Sequence, residues 1–264
     1  MKKINMKKQE IIYNVNLTNE VYSKVDEINW TKLGIKRVTW LANAKTDTQG
    51  FTALSSDTLY IVWRGSSSPK DFLKDAQVKK VNFVEPGEKV HNGFYTAFES
   101  IKEDLYSSIN YILNTTKFNK TNPNRIQSVV ICGHSLGGAL TVVSSYMICK
   151  DFPQIAHLVK NVTVGCPRVG NSIFKDNYNK LVPKSIRIVN DKDLVTRIPK
   201  IGFTHINEGI TLNEKGEVIK TSSINPFKYF MEIFVSDISG EAAKDHFVDN
   251  YLKVIDKWDG VINN

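Results

Sequence analysis

Residues 128–141 read Ser-Val-Val-Ile-Cys-Gly-His-Ser-Leu-Gly-Gly-Ala-Leu-Thr, and this stretch decides the fold class. Its apolar run predicts a buried strand, and the small residues after Ser135 predict a closely packed helix. The G-x-S-x-G motif between them, Gly133–Gly137, is typical of a very tight turn that projects a serine hydroxyl near a helix N-terminus. Glycines are needed because the positions two before and two after the serine crowd each other and a neighbouring strand. We interpret Ser135 as a nucleophile. The alternative is a structural glycine-rich turn that happens to hold a serine.

A strand–helix alternation continues on the C-terminal side of this motif. Apolar runs without polar alternation predict strands that are covered on both faces. Their order with the intervening helix implies a mostly parallel sheet with helices on both faces. A hairpin over Glu208–Thr221 and an amphipathic helix from about Asp245 are expected to follow. The predicted strands are Ile126–Cys132, Asn161–Val164 and Ser185–Val189, and the helix is Leu136–Lys150.

The N-terminal side contains helices and short strands. Apolar residues at helical spacing predict one helix over Leu17–Trp30 and a longer one over Asn92–Lys117. Short strands are expected at Arg37–Ala44, Phe51–Leu54 and Leu59–Trp63. Because no linker rich in Pro, Gly or Ser divides the chain, we expect a single domain over residues 1–264, with a poorly ordered segment at residues 1–15.

Composition narrows the class of protein. Of 264 residues, 41% are hydrophobic and 23% charged, as in ordinary globular proteins. No stretch has the apolar core of a signal peptide or the roughly 20 apolar residues of a membrane span, so we expect a cytoplasmic protein without a transmembrane segment; the alternative is export by an unconventional route. The net charge of +8 comes from scattered lysines without a nucleic-acid-binding motif, which predicts a solvated basic surface; the alternative is a mild attraction to anionic lipid surfaces. The three cysteines lack metal-site spacing, so we expect buried thiols and neither a metal nor a cofactor.

A serine nucleophile needs a base to take its proton and a carboxylate to orient that base. When the serine lies on a turn of this kind, the acid and then the histidine follow it along the chain. Asp191 and Asp193 both follow the predicted strand Ser185–Val189, and the residues alone do not separate them. His205 and His246 come later and are the two candidates for the base. His205 is in the same loop as the acid, so the alternative interpretation is a loop-tip histidine without a catalytic role. The remaining histidines precede the acid and are interpreted as packing or surface residues: His91, His134 and His157.

Five motifs follow one another along most of the chain: Ile61–Ser68, His91–Phe94, Gly133–Leu140, Val164–Asn171 and Arg187–Asp193. In this order the chain resembles the lipase class 3 (fungal-type triacylglycerol lipase) family, over roughly residues 40–251. The resemblance implies the α/β-hydrolase fold. It also implies that Asp193 is the catalytic acid and that His246, before the terminal helix, is the catalytic base.

Acyl transfer also needs hydrogen-bond donors for the negative charge that develops on oxygen. One donor should be the backbone N–H of Leu136, directly after the nucleophile. The second should come from an earlier strand-end loop, and Arg64-Gly65-Ser66 fits. The resemblance implies that Ser66 donates its backbone N–H, helped by its hydroxyl, although many family members have threonine here. Arg64 is expected to be structural, and a salt bridge behind the site is one role for it.

Two segments are candidates for substrate access and acyl binding. Residues 67–76 follow the oxyanion loop, and Phe72 and Leu73 would form the apolar edge of a short helix. In similar lipases such a segment is a mobile lid; the alternative is an ordinary surface helix. The aromatic stretch 224–235, with Phe227, would line an acyl-chain groove or simply pack on the core. Phe203 is a further acyl-binding candidate.

These features predict a serine carboxylic-ester hydrolase that acts on lipid or other acyl esters through an acyl-enzyme on Ser135. One alternative is acyl transfer to an alcohol other than water by the same triad. Another is a non-catalytic protein that binds a lipid surface on a hydrolase scaffold. The full set of Ser135, Asp193, His246 and Ser66 argues against the last alternative.

Overall fold

The architecture is taken from a computed structural model of the chain. The structure describes residues 6–66, 79–116, 125–191, 193–207, 209–219 and 246–260.

A mixed sheet forms the centre of the described structure. Its strands lie in the order β1-β2-β3-β6-β7-β8-β9-β10. The first three strands are antiparallel, the strands from β3 to β9 are parallel, and β10 is antiparallel to β9. The separate strands β4 and β5 form a two-stranded ribbon. The strands are β1 (Arg37–Asn43), β2 (Thr48–Leu54), β3 (Thr58–Trp63), β4 (Lys80–Asn82), β5 (Lys89–His91), β6 (Ser128–His134), β7 (Val159–Val164), β8 (Ser185–Asn190), β9 (Gly209–Leu212) and β10 (Val218–Ile219).

Helices cover both faces of this sheet. None of the helices in the described ranges combines the length and the apolar character that crossing a membrane requires. A short 3₁₀ helix, Val195–Arg197, follows β8. The helices are α1 (Lys8–Glu20), α2 (Asn92–Glu99), α3 (Lys102–Thr115), α4 (Leu136–Asp151), α5 (Pro153–Ala156), α6 (Ser172–Leu181) and α7 (Val248–Lys257).

The alternation of side chains along each strand divides the core into two layers. Trp63 and Ile131 face a layer that contains buried residues of α2, α3, α4 and α6. Their neighbours Val62 and Cys132 face the opposite layer, which contains buried residues of α1 and α7. The predicted mostly parallel sheet with helices on both faces is therefore confirmed.

The N-terminal helix lies earlier than the sequence predicted. It spans Lys8–Glu20 rather than Leu17–Trp30, so residues 8–15, expected to be poorly ordered, are helical. Ile11 and Val15, one helical turn apart, are fully buried on the layer shared with α7. Their burial against the sheet stabilises a helix whose polar residues had concealed its pattern.

The helix predicted over Asn92–Lys117 is two helices. The first ends at Glu99 and the second begins at Lys102. Ser100 at the break donates its hydroxyl to the carbonyl of Ala97 at 2.7 Å, a local bond that competes with helix continuation. The apolar periodicity runs through the break because both helices bury their stripes in the same layer. The last helix also begins later than expected, at Val248 rather than near Asp245.

Candidate active site

Ser135 lies on the sharp turn between β6 and α4. Its backbone has φ 60° and ψ −125°, a positive φ that a residue with a side chain adopts at a cost of roughly 1–3 kcal/mol. Its N–H donates to the carbonyl of Val164 on the neighbouring strand at 2.9 Å. The turn therefore holds the serine in a strained conformation at the carboxyl end of the sheet.

Close packing explains the glycines of the motif. A Cβ placed on Gly133 would lie 2.3 Å from the carbonyl oxygen of Gly137. One on Gly137 would lie 2.2 Å from the carbonyl oxygen of Trp63 on β3. The predicted crowding of these two positions against each other and the adjacent strand is confirmed.

Asp193 and His246 meet in a buried hydrogen bond. Asp193 follows β8, His246 precedes α7, and Nδ1 of His246 lies 2.8 Å from Oδ2 of Asp193. The carboxylate is fully buried and accepts two more bonds, from the N–H of Val195 to Oδ1 at 2.9 Å and from the hydroxyl of Tyr251 to Oδ2 at 2.5 Å. Three donors thus satisfy a carboxylate that water does not reach.

The hydrogen bond to Asp193 orients the imidazole of His246. Because an ionised carboxylate only accepts, Nδ1 carries the proton and Nε2 keeps a lone pair. Nε2 of His246 and Oγ of Ser135 are both buried, and neither has a hydrogen-bond partner among the described residues. The ring packs on Gly165, where a Cβ would lie 3.1 Å from Cε1 of His246. Gly165 directly follows Val164, whose carbonyl accepts the N–H of Ser135. Nε2 of His246 and Oγ of Ser135 are therefore buried and are not hydrogen-bonded to each other in this structure.

The two predicted oxyanion donors belong to segments that adjoin Ser135. Leu136 is the first residue of α4, so its N–H has no acceptor within the helix and lies at the positive end of the helix dipole. Ser66 follows Gly65, where a Cβ would lie 2.9 Å from Cβ of Ser135. The N–H of Gly65 donates to the hydroxyl of Tyr22 at 3.1 Å.

Arg64 contacts neutral side chains among the described residues. Its Nη1 donates to the side-chain oxygen of Gln49 at 2.5 Å, and its guanidinium lies 5.6 Å from the centre of the Tyr22 ring. Within the described ranges, no ion pair involves Arg64.

The other candidates for acid and base lie elsewhere. The carbonyl of Asp191 accepts a bond from Arg197 at 2.5 Å, and its N–H donates to the carbonyl of Leu212 at 3.0 Å. His205 donates Nε2–H to the carbonyl of Thr196 at 2.5 Å, and so supports the loop after Asp193. Burial lowers the pKa of His205 far below its usual 6.5, helped by the nearby guanidinium groups of Arg187 and Arg168.

Two residues beside this site were not recognised from the sequence as parts of it. Tyr251 lies in the amphipathic helix that the sequence predicts from about Asp245, and its hydroxyl contacts Asp193. His134 was read as a packing or surface residue, yet both ring nitrogens have partners: Tyr22 Oη at 2.9 Å and the carbonyl of His246 at 2.5 Å. A polar atom on an otherwise buried apolar stripe is the signal that could have found Tyr251, since such atoms nearly always have partners.

The acyl-binding candidates are only partly described. Phe203 is buried, with its ring centre 5.9 Å from that of His91 and the ammonium of Lys80 4.9 Å from its centre. Phe72, Leu73 and Phe227 lie outside the described residues, as do the predicted lid and the aromatic stretch.

The cysteines are free and buried, as predicted. Burial raises the pKa of the Cys166 thiol to about 12, so it is neutral at physiological pH. In the described part of the chain, no three His, Cys, Asp or Glu side chains are grouped as a metal site would require.

Comparison with known proteins gives a consistent family. The sequence profile described as lipase (class 3) matches residues 60–203. The chain is 29% identical over 241 residues to phospholipase A1-Igamma1 of Arabidopsis thaliana, a match that covers 76% of this chain and 41% of that protein. It is 28% identical over 180 residues to a lipase of Rhizopus niveus, with 66% of this chain and 44% of the relative covered. The chain thus spans less than half the length of these two relatives.

The fold is also that of solved lipases. A triacylglyceride lipase of Rhizomucor miehei superposes with a TM-score of 0.69 at 24% identity, covering 77% of this chain and 79% of that chain. At this identity the likeness shows the fold alone, and it is the α/β-hydrolase fold that the sequence predicted.

Proposed function

Because this chain belongs to the lipase (class 3) family, we propose that it is a serine carboxylic-ester hydrolase that forms an acyl-enzyme on Ser135. The observation that carries the proposal is the buried bond between Asp193 and His246 beside a serine on a strained strand–helix turn. An oriented imidazole together with a serine hydroxyl on a tight strand–helix turn is the arrangement that nucleophilic acyl transfer needs.

In the acylation step Oγ of Ser135 attacks the ester carbonyl carbon, and Nε2 of His246 takes the hydroxyl proton. Asp193 holds the imidazole in the required tautomer and stabilises the imidazolium that forms. The imidazolium then gives its proton to the leaving alcohol, and the acyl group remains on Ser135. The proton transfer requires Oγ of Ser135 and Nε2 of His246 to come within hydrogen-bonding distance when substrate binds. Such a change is common, because catalytic hydrogen bonds are often long in the free enzyme.

In the deacylation step water replaces the alcohol. Nε2 of His246 takes a proton from water, the hydroxide attacks the acyl carbon, and Ser135 recovers the proton as the carboxylic acid leaves. In both steps the negative charge on the carbonyl oxygen faces the N–H groups of Leu136 and Ser66. Each such donor is worth about 3 kcal/mol of barrier in related acyl transfer.

We propose lipid acyl esters as the substrate class. Relatives that are named phospholipase A1 and lipase support this class, and they leave the head group open.

The test is the variant Ser135→Ala, assayed with short p-nitrophenyl esters and with emulsified triacylglycerol and phosphatidylcholine. Turnover should fall by about four or more orders of magnitude, because the variant lacks the nucleophile. A fluorophosphonate probe should label the wild-type chain once and leave the variant unlabelled.

Ser172→Ala is the matched control, since Ser172 is an exposed serine at the start of α6. It should retain full turnover and full labelling. Ester turnover that survives in Ser135→Ala would refute the proposed mechanism.

A further inference from the structure

A chain of hydrogen bonds connects the loop before Ser66 with the backbone of His246. The N–H of Gly65 lies 3.1 Å from the hydroxyl of Tyr22, and this hydroxyl lies 2.9 Å from Nδ1 of His134. Nε2 of His134 lies 2.5 Å from the carbonyl oxygen of His246. The chain therefore begins beside one proposed oxyanion donor, passes behind Ser135 and ends on the proposed base.

The direction of every bond in this chain is determined by its two ends. A peptide N–H can only donate and a carbonyl oxygen can only accept, so Gly65 donates to Tyr22 and His134 donates Nε2–H to His246. Burial lowers the pKa of His134 well below its usual 6.5, so its ring is neutral and carries one proton. Nδ1 is then the acceptor, and the hydroxyl of Tyr22, whose pKa burial raises to about 12, is its donor.

The two histidines at the end of this chain of hydrogen bonds also pack against each other next to Ser135. The rings of His134 and His246 are 4.6 Å apart between centres, and His134 is only 3% exposed. Removing one member would leave buried polar groups of its neighbours unpaired, which is costly in a dry interior. Loss of the Tyr22 hydroxyl would leave the N–H of Gly65 without this acceptor, and loss of the His134 imidazole would leave the carbonyl of His246 without this donor.

We propose that Tyr22 and His134 are positioning residues, which hold the oxyanion loop and the backbone of His246 in register with each other across Ser135. This inference rests on the proposed hydrolase function. Neither side chain touches the substrate; each acts through a backbone group of the residues that do. The register matters because a misplacement of about 1 Å in such a site can lower the rate about a hundredfold.

The first experiment replaces Tyr22 by phenylalanine, which removes the hydroxyl and keeps the ring. Ester turnover is normalised to the active sites that a fluorophosphonate titrates. We expect kcat to fall about tenfold, because the loss of one hydrogen bond that supports the transition state has an effect of this order. KM should stay within about twofold of wild type. A purely structural role would lower the number of titrated sites or the melting temperature and leave kcat per site unchanged.

Tyr13→Phe is the matched control. Tyr13 lies on the same stretch of chain, in α1, and its hydroxyl also bonds a backbone group, the carbonyl of Leu33 at 2.7 Å. It has no contact with Gly65, His134 or His246 among the described bonds. We expect wild-type kcat per site in this variant.

The second experiment tests whether the N–H donor of His134 matters, as distinct from the bulk of its ring. His134→Gln retains an N–H donor for the carbonyl of His246, whereas His134→Phe retains only a ring. We expect kcat in His134→Gln to lie well above that of His134→Phe, a rescue that bulk alone would not give. In the double variant Tyr22→Phe/His134→Phe the two losses should not multiply, because both substitutions interrupt one chain.

The outcomes are distinguishable from failure of the proposed function. If wild-type protein neither hydrolyses esters nor labels at Ser135, the hydrolase proposal fails first. If wild type is active but Tyr22→Phe has wild-type kcat per site, or the double variant shows the full product of the single losses, the positioning role is wrong.

Discussion

At the scale of single residues, the carboxylate of Asp193 is the most constrained group of the site. It is fully buried, and one oxygen, Oδ2, accepts from both His246 and Tyr251. Burial and the nearby charge of Asp193 raise the pKa of Tyr251 well above its usual 10, so its hydroxyl is a permanent donor. Tyr251 therefore fixes the position of the oxygen against which the imidazole is oriented.

We expect Tyr251→Phe to lower kcat about tenfold and the free energy of unfolding by about 1.5–3 kcal/mol, since it removes a hydrogen bond to a charged group. Steady-state ester hydrolysis and urea unfolding measure the two effects. Tyr178→Phe is the control, because Tyr178 is equally buried but bonds the neutral hydroxyl of Ser145 at 2.9 Å, on the other side of the sheet. A Tyr251→Phe enzyme with unchanged kcat would mean that Asp193 needs no third donor.

At the scale of elements, the strand–turn–helix unit of β6 and α4 depends on the absence of side chains at its glycines. Helix propensity and packing make opposite predictions at Gly137. Alanine is better than glycine by about 1 kcal/mol in a helix, yet a Cβ at Gly137 would lie 2.2 Å from backbone of β3. Backbone cannot move aside as a flexible side chain can, so packing should prevail.

Gly137→Ala is therefore expected to destabilise the protein by about 3 kcal/mol, measured by denaturant unfolding, and to abolish ester turnover by displacing Ser135. Gly34→Ala serves as comparison. Gly34 has φ +68° but nothing within 4 Å of its added Cβ, so only the strain of about 1 kcal/mol remains. If Gly137→Ala were as stable as wild type, the close approach of α4 to β3 would be refuted.

At the scale of the whole molecule, folding withdraws two neutral histidine side chains from water near the loops of the site, the buried His134 and the partly buried His205. His134 and His205 both have pKa values lowered by burial. Below pH 6.5 the unfolded chain takes up protons on these side chains that the folded chain does not bind. Stability from this source is therefore full above about pH 6.5 and is lost as the pH falls below it.

We expect His205→Gln to lose part of this pH dependence. Between pH 7.5 and 5.5 the free energy of unfolding of wild type should fall by up to about 1.4 kcal/mol more than that of the variant. Denaturant unfolding at the two pH values gives the comparison. His157→Gln, at an exposed histidine, should follow wild type, and a His205→Gln variant that did the same would show that His205 is protonated in the folded protein.

Local sterics explain how much of this molecule was predictable. The turn at Ser135, the buried strands and their parallel order followed from residues close together in the chain, because the glycine spacing and apolar runs act within a few positions. Helix ends were predicted less well. The pattern over Asn92–Lys117 did not reveal the break at Ser100, since apolar spacing reports which face is buried and not whether the backbone continues.

By itself, then, the sequence determined the sheet, its two helical layers and the strained serine turn, because each follows from short-range sterics and side-chain alternation. The residues alone did not show whether Asp191 or Asp193 is the catalytic acid, and only the family resemblance favoured Asp193. Only the tertiary structure decided which carboxylate meets His246, and which tyrosines and histidine hold the site. These contacts join residues 53, 58 and 112 positions apart, and no local pattern encodes a hydrogen bond across such a separation. Such a hydrogen bond forms only when the sheet brings the two chain segments together.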